Sequence, residues 1–288
     1  MNILPPVRPE VLYELPPLDD QRLEKPLPTT SRLWNRSWLR KSVILLVLLA
    51  LWEIAARWQN NALLLPGFIQ TARAFLQDTV SGELPTKIGF SLGTLIKGYL
   101  IGTTLALVLS ALAVSSRIGR DALSTLTSMF NPLPAIALLP LSLLWFGLGE
   151  NSLIFVLAHS VMWPMALNTY SGFLGVSDTL RMTGRNYHLR GVRFVWHILV
   201  PAALPSIISG LKIGWAFAWR TLIAAELVFG ASSGTGGLGW YIFQNRNELF
   251  TDRVFAGLIS VIVIGLLMEG LIFTSLERVT VKRWGMQK

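Results

Sequence analysis

Long apolar runs alternate with short polar interruptions along this chain, and the lengths of the runs decide what they are. Residues 42–58, 89–114, 123–147, 152–176, 198–229 and 254–276 are each almost continuously apolar. An α-helix rises 1.5 Å per residue, so about 20 residues cross a hydrocarbon core of about 30 Å. Inside lipid a backbone must satisfy its own hydrogen bonds, which makes a run of that length a membrane helix. The pattern predicts an all-α polytopic membrane protein with about six transmembrane helices.

Irregularities within the runs predict how they pack. The second carries Gly93, Gly98 and Gly102 at spacings that allow close helix approach. The third is broken by Pro132, Pro134 and Pro140. Prolines at membrane depth need other helices or a water-filled path to satisfy the freed backbone groups, so this run is expected in the interior. The fourth holds His159, Trp163, Pro164 and Asn168.

Between the runs, residues 60–88 read as an external loop with a short surface helix, 115–121 as a basic turn, 147–151 as a tight external turn, and 230–250 as a glycine-rich external segment. Residues 181–205 form a basic island with Arg181, Arg185, Arg190 and Arg193, followed by His197, Pro201 and Pro205. Charge of this density belongs outside the lipid, as a cytoplasmic helix and turn. Residues 1–41 contain seven prolines and seven Lys or Arg residues and read as a disordered cytoplasmic tail ending in the basic anchor RSWLRK. The domain division is thus a tail, 1–41, and a transmembrane domain, 42–288.

Composition agrees with a membrane class: 52% of the 288 residues are hydrophobic, 14% are charged, and mean hydropathy is +0.52. A net charge of +9 matters here through its distribution, and it points to no nucleic acid. Seventeen of the 25 Lys and Arg residues fall on one set of interruptions and four on the other, which places both termini in the cytoplasm. The absence of cysteine excludes disulfides, thiolate metal sites and cysteine nucleophiles. The polar, proline-rich opening predicts no cleavable signal peptide.

Candidate chemistry is sparse. The three histidines are scattered, and HExxH, GxSxG and GxxxxGK[ST] are missing, so neither catalytic nor metal-ligating residues are assigned. The GTGGLG run at 234–239 follows a membrane helix and not a strand, which rejects a dinucleotide loop. Ionisable residues within the runs are Lys97, Lys212 and Arg220, with Glu53, Glu226 and Glu269. Either these pair with one another, or a cation left unpaired beside the proline-broken helix attracts an anionic solute. Arg220 and Glu226 are separated by roughly 600° of helix and face different directions. The candidate lining of a translocation path is Lys97, Pro132, Pro134, Pro140, His159, Trp163, Asn168, Lys212 and Arg220.

Residues 131–150, NPLPAIALLPLSLLWFGLGE, resemble the P-x-x-A-x-x-P-L…W-F-G-x-G-E run of binding-protein-dependent ABC importer permeases of the nitrate, sulfonate and taurine group. LPGFIQT at 65–71, WPMALNTYSG at 163–172, LVPAALPSIISGLK at 199–212 and AAELVFGASSGTGGLGW at 224–240 support the resemblance, which extends over 63–283. The family's cytoplasmic loop follows E-A-A-x-x-x-G-x(9)-I-x-L-P. Here Ile198, Val200 and Pro201 keep the second half, while Met182 stands at the glutamate, Thr183 and Gly184 at the alanines, and His188 at the glycine.

The resemblance implies a type I importer permease fold and a coupling loop at 177–197 that seats a short helix in a groove of an ATPase subunit. Its residues would be Arg181, Met182, Thr183, Gly184, Arg185, His188, Arg190 and Gly191, with Ile198 and Pro201 beyond. A helix at 178–189 ended by Gly191, with Pro201 shaping entry into the fifth span, would meet that need. The implied function is a permease subunit that passes a small anionic solute, such as a sulfonate, nitrate, taurine or a carboxylate, by alternating access. Implied partners are two cytoplasmic ATPase subunits carrying ATP and Mg, a second permease copy or a homologous permease, and an external solute-binding protein. The expected location is a bacterial inner membrane, with the chain itself no enzyme and without a cofactor of its own. The rival readings are a secondary transporter and a structural or regulatory subunit paired with a second permease.

Overall fold

A computed structural model describes residues 36–229 and 236–282, and every regular element among them is helical. The expected disordered tail lies outside the described residues as far as residue 35. The chain divides between Leu51 and Trp52. The N-terminal part is the start of helix α1 (Ser37–Gln59), which takes most of RSWLRK into its first turns.

Beyond α1 follow α2 (Phe68–Val80), α3 (Glu83–Ser115), α4 (Arg117–Phe130), α5 (Ala135–Phe146), α6 (Glu150–Leu174), α7 (Asp178–Asn186), α8 (Gly191–Ala202), α9 (Leu204–Phe229), α10 (Leu238–Asn247) and α11 (Thr251–Val281). Three of these, α3, α6 and α11, are long and apolar enough to cross a membrane, and two bent pairs raise the number to five. The pairs are α4 with α5, bent by 88°, and α8 with α9, bent by 80°. They occupy the third and fifth predicted spans. The first predicted span is helical, but only residues 42–52 of α1 separate Lys41 from Glu53. That charge-free stretch is about 16 Å long, short of a full crossing.

Two expected interruptions are helical instead. Residues 83–87 open α3, because Gly82 at φ +84° turns the chain out of α2 and Pro85 falls in the first helical turn, where its missing N–H is harmless. The basic turn at 115–121 shrinks to Ser116, whose Oγ accepts from the Gly119 N–H at 2.9 Å and caps α4.

Helix α6 is the centre of the bundle from Trp52 onward, with α3 against one flank and α9 against another. Close approach of α3 depends on Gly98 and Gly102, where a Cβ would fall 2.5 Å from Leu157 Cβ and 2.6 Å from the Ala158 carbonyl. Gly93 meets nothing and plays no such part. Ser110 Oγ donates to Ala166 O at 3.1 Å across the α3–α6 seam, and Tyr99 Oη to Leu211 O at 2.9 Å across to α9. The proline-broken segment is not interior on this chain: Pro132, Pro134, Pro140, Leu144, Trp145 and Phe146 are exposed. The 88° bend carries α5 to the side of α6, and α6 takes the central position.

Part of the glycine-rich segment, 230–235, lies outside the described residues, but its continuation is α10, packed on α9 and α11. Buried Tyr241 of α10 donates to Asp78 Oδ2 at 2.5 Å, and Arg253 Nε approaches the same carboxylate oxygen at 3.5 Å. Burial first, then that hydrogen bond, raises the Tyr241 phenol above the ordinary tyrosine range.

Candidate functional site

Helix α4 ends at Phe130 with Asn131 still in helical conformation, and Pro132 and Pro134 follow at once with no N–H to carry the helix further. The chain turns there and resumes as α5, and the break opens a cavity of roughly 330 Å³. Phe130, Asn131, Pro132, Leu133, Pro134 and Ala135 line one side. His159, Ser160, Trp163 and Pro164 of α6 and Phe217 and Thr221 of α9 line the other.

Four of the predicted path residues, Pro132, Pro134, His159 and Trp163, meet in this lining. Phe130 stacks on Trp163 with centroids 5.4 Å apart and planes at 11°, and meets His159 edge-on at 6.2 Å. Both ring nitrogens of His159 and the indole nitrogen of Trp163 are buried and have no hydrogen-bond partner among the described residues. Buried polar groups are nearly always satisfied, so these three nitrogens, enclosed behind the cavity surface, are exceptions, as is the Trp215 indole elsewhere in the bundle.

The predicted intramembrane cations part company. Lys97 Nζ lies 2.8 and 2.9 Å from the two Glu150 oxygens, and Thr94 Oγ1 donates to the same carboxylate at 2.9 Å. Lys212 pairs with Glu277 at 2.5 Å. Arg220 has no carboxylate partner among the described residues: its Nε donates to Ala216 O at 2.9 Å, and its guanidinium carbon sits 5.1 Å above the Phe217 ring. Phe217 and Thr221 are in the cavity wall, whereas Arg220 between them is exposed and is not one of the lining residues. Lys97, Pro140, Asn168, Lys212 and Arg220 are outside the lining. Pro140 is exposed in α5, and Asn168 spends its amide on Pro164 O at 2.8 Å.

Phe130, Ser160, Phe217 and Thr221 are lining residues that a search for polarity in an apolar setting does not find. A signal existed for two of them: Phe217 and Thr221 flank Arg220 on one helix, at positions three before and one after.

Glu226 is ionisable but structural. Its carboxylate is 1% exposed, receives the Ser91 hydroxyl at 2.8 and 2.9 Å, and accepts the Gly239 N–H at 2.7 Å. Ser91 Oγ in turn accepts the Leu238 N–H at 2.8 Å. The N-terminus of α10 therefore sits on a carboxylate, the favoured arrangement for the helix dipole. This explains the end of the GTGGLG run. A Cβ on Gly237 would collide with the Glu226 carboxylate and the Ser91 hydroxyl, and one on Gly239 would fall 2.6 Å from Glu226 Cβ.

In the basic island the short helix is α7, which ends at Asn186, before the expected residue 189. His188 adopts φ +56°, with its N–H on Arg185 O at 2.9 Å and the Leu189 N–H on Gly184 O at 3.0 Å. This is a Schellman close with His188 in the left-handed position that glycine normally takes. Gly191, also at φ +56°, starts α8 and does not end α7. Arg181 is committed internally: Nη2 donates to Phe173 O at 2.5 Å and Nε to Val176 O at 3.1 Å, tying α7 to the end of α6. Gly184 faces α8, where a Cβ would meet Ile198 Cγ1 and Phe194 Cε2 at 2.8 Å each. Met182, Thr183, Arg185, His188 and Arg190 are exposed, and Arg185 and Arg190 border a cleft of about 360 Å³ with Leu189, Gly191 and Phe194. Pro201 sits just before the bend between α8 and α9.

Residues 98–280 match the family described as binding-protein-dependent transport system inner membrane component. A protein of Methanocaldococcus jannaschii, provisionally named an ABC transporter permease, is 31% identical over 76% of this chain and 82% of its own. A Bacillus subtilis protein, provisionally named an aliphatic sulfonates transport permease, is 31% identical over 82% of this chain and 84% of its own. The nitrate import permease of a Synechocystis strain is 29% identical over 88% of this chain and 92% of its own.

Proposed function

Because the chain belongs to the family of binding-protein-dependent transport system inner membrane components, we propose that it is the transmembrane subunit of an ATP-driven importer. It passes a small anion inward across a bacterial inner membrane by alternating access, both its termini being cytoplasmic. The observation that carries the anion is Arg220, a guanidinium over the ring of the cavity-lining Phe217 with no carboxylate partner among the described residues. An ionisable group at membrane depth is costly unless it is paired or used, and a planar fork of donors suits a carboxylate, sulfonate or nitrate. The relatives named for aliphatic sulfonates and for nitrate support the same charge class.

The chain works with two ATPase subunits that hold ATP and Mg, a second permease, and an external solute-binding protein. It performs no covalent step itself. The exposed face of α7 meets the ATPase, and the Arg185–Arg190 cleft takes an acidic surface there, in place of the glutamate that Met182 replaces. Arg181 and Gly184 position α7 against α6 and α8, so that a push on α7 reaches the wall of the cavity.

The test is reconstitution in proteoliposomes with its ATPase and binding protein, followed by uptake of labelled propane-1-sulfonate and nitrate. ATP-dependent uptake is expected. Uptake by the chain alone without ATP would make it a secondary transporter, and an assembled complex without uptake would make it a structural subunit.

A further inference from the structure

We infer that the outward face of α2 and the cleft at its start form a binding site for an anionic glycerophospholipid with a hydroxylated, uncharged headgroup. The inference goes beyond the importer reading and requires only that the chain sits in a membrane. Helix α2 has its polarity reversed. Thr71, Ala74 and Asp78 are buried, while Ile69, Leu76 and Val80 on the other side are 57%, 62% and 87% exposed. A short helix that turns apolar side chains outward at the end of a membrane bundle presents them to lipid. Helix α6 runs parallel to α3, since Gly98 lies against Leu157 and Ser110 bonds to Ala166, so α2, before α3, and α7, after α6, occupy opposite ends.

Two adjoining depressions mark the outward side of α2. One is an apolar groove of about 600 Å³ along Phe68, Ala72, Leu76 and Val80. From Phe68 to Val80 the helix rises about 18 Å, the length of one acyl chain, given that half a hydrocarbon core is about 15 Å. The other is a polar cleft of about 500 Å³ whose wall includes Glu53, Arg57, Asn60, Asn61 and Gln70. Ile69 and Arg73 line both, so the groove runs into the cleft at an arginine. An apolar track that ends at a cation among side-chain amides matches a phospholipid: chain along α2, phosphate at Arg73, headgroup hydroxyls on the amides.

Charge sets the class of headgroup. Glu53 Oε1 is 2.9 Å from Arg57 Nε, and its Oε2 accepts the Ile69 N–H at 3.4 Å, so Glu53 and Arg57 neutralise each other. Arg73 has no ion pair among the described residues, which leaves the cleft one positive charge. One phosphodiester balances it. An ammonium headgroup would add a second positive charge while the Glu53 carboxylate is already engaged. The walls are held in place without a ligand: Trp52 Nε1 donates to Pro66 O at 3.0 Å, the Trp52 ring meets Phe68 edge-on at 5.7 Å, and Thr251 Oγ1 donates to Leu63 O at 3.0 Å.

Native mass spectrometry of the full chain in detergent, titrated with phosphatidylglycerol and phosphatidylethanolamine of identical acyl chains, tests the inference. For the most tightly held lipid, phosphatidylglycerol is expected to bind at least about five-fold tighter, the effect of one basic residue on an anionic lipid. Arg73→Gln should remove that preference, and Leu76→Asn should weaken both lipids by about three-fold. Both side chains are exposed, so the lipid-free thermal midpoint should stay at the parental value. Soluble glycerol 3-phosphate should not displace the lipid, because it lacks the chain. Equal binding of the two lipids, an unchanged preference in Arg73→Gln, or displacement by glycerol 3-phosphate would overturn the inference. So would a dimer of the chain that Leu76→Asn dissociates while lipid binding is unaltered, because the face would then belong to a second copy.

Discussion

Glu226 and Arg220 lie six residues apart on α9 and live in opposite circumstances. The carboxylate is buried under the start of α10 and meets a hydroxyl and a backbone N–H, with glycine backbone drawn in to reach it. The guanidinium bonds once to its own helix, rests on one aromatic face, and otherwise points its donors at no acid among the described residues. Charge at membrane depth is therefore not one signal but two. A fully bonded charge holds elements together, and one with open valence at a cavity is available to a solute. Lys97 and Lys212, paired with Glu150 and Glu277, fall with Glu226.

The comparison can be broken by substitution. Glu226→Ala should cause the largest loss, because it orphans the Gly239 N–H and the Ser91 hydroxyl and opens a void; about 3 kcal/mol is expected, read as a lowered thermal midpoint in detergent. Gly237→Ala should match it, since its Cβ has no place to go between Glu226 and Ser91. If both variants melt like the parent, Glu226 is not the lock described.

The coupling elbow sharpens the same contrast on a smaller scale. Gly184→Ala should cost about 1–3 kcal/mol locally, seen as faster hydrogen exchange in α7 and weaker retention of the ATPase, because Phe194 and Ile198 already occupy the space. His188→Gly should act oppositely, strengthening the close of α7 by about 1 kcal/mol through relief of the left-handed backbone. Slower exchange of the last α7 amides would register it.

A pH effect is expected at the contact between α10 and α2. The folded protein holds the Tyr241 proton more tightly than the unfolded chain does, so stability is intact below the ordinary tyrosine pKa of about 10 and falls as pH rises past it. Tyr241→Phe should flatten that alkaline limb in a melting series.

Much of the architecture was legible from residue order. Run length predicted spans at all five places where span-length helices or bent pairs occur and one more at α1, which falls short of a crossing, and the cluster Pro132, Pro134 predicted the break that makes the cavity. What was not legible is tertiary. Lys97 finds Glu150 fifty-three residues away, Lys212 finds Glu277, and neither acid was among the three considered, because both lie at the ends of apolar runs. Arg181 looked like its neighbours Arg185 and Arg190, yet the carbonyls freed at the end of α6 take it up. The third run looked interior because of its prolines, but a break can be satisfied at the side of α6 when the chain bends by 88°. His188 at a glycine position becomes intelligible once its φ is known: the loop keeps the left-handed turn while losing the residue that makes it easiest.

The most direct test of the central claim is ATP-driven anion uptake by Arg220→Gln and Arg220→Lys in the reconstituted complex. Arg220→Gln should fold within about 0.5 kcal/mol of the parent, since no ion pair among the described residues is lost. Its uptake should nevertheless fall by at least about ten-fold, the effect of removing a charge-assisted contact to the solute, with Arg220→Lys between the two. Parental uptake by a folded Arg220→Gln complex would contradict the assignment of this cavity and its guanidinium to the path of the solute.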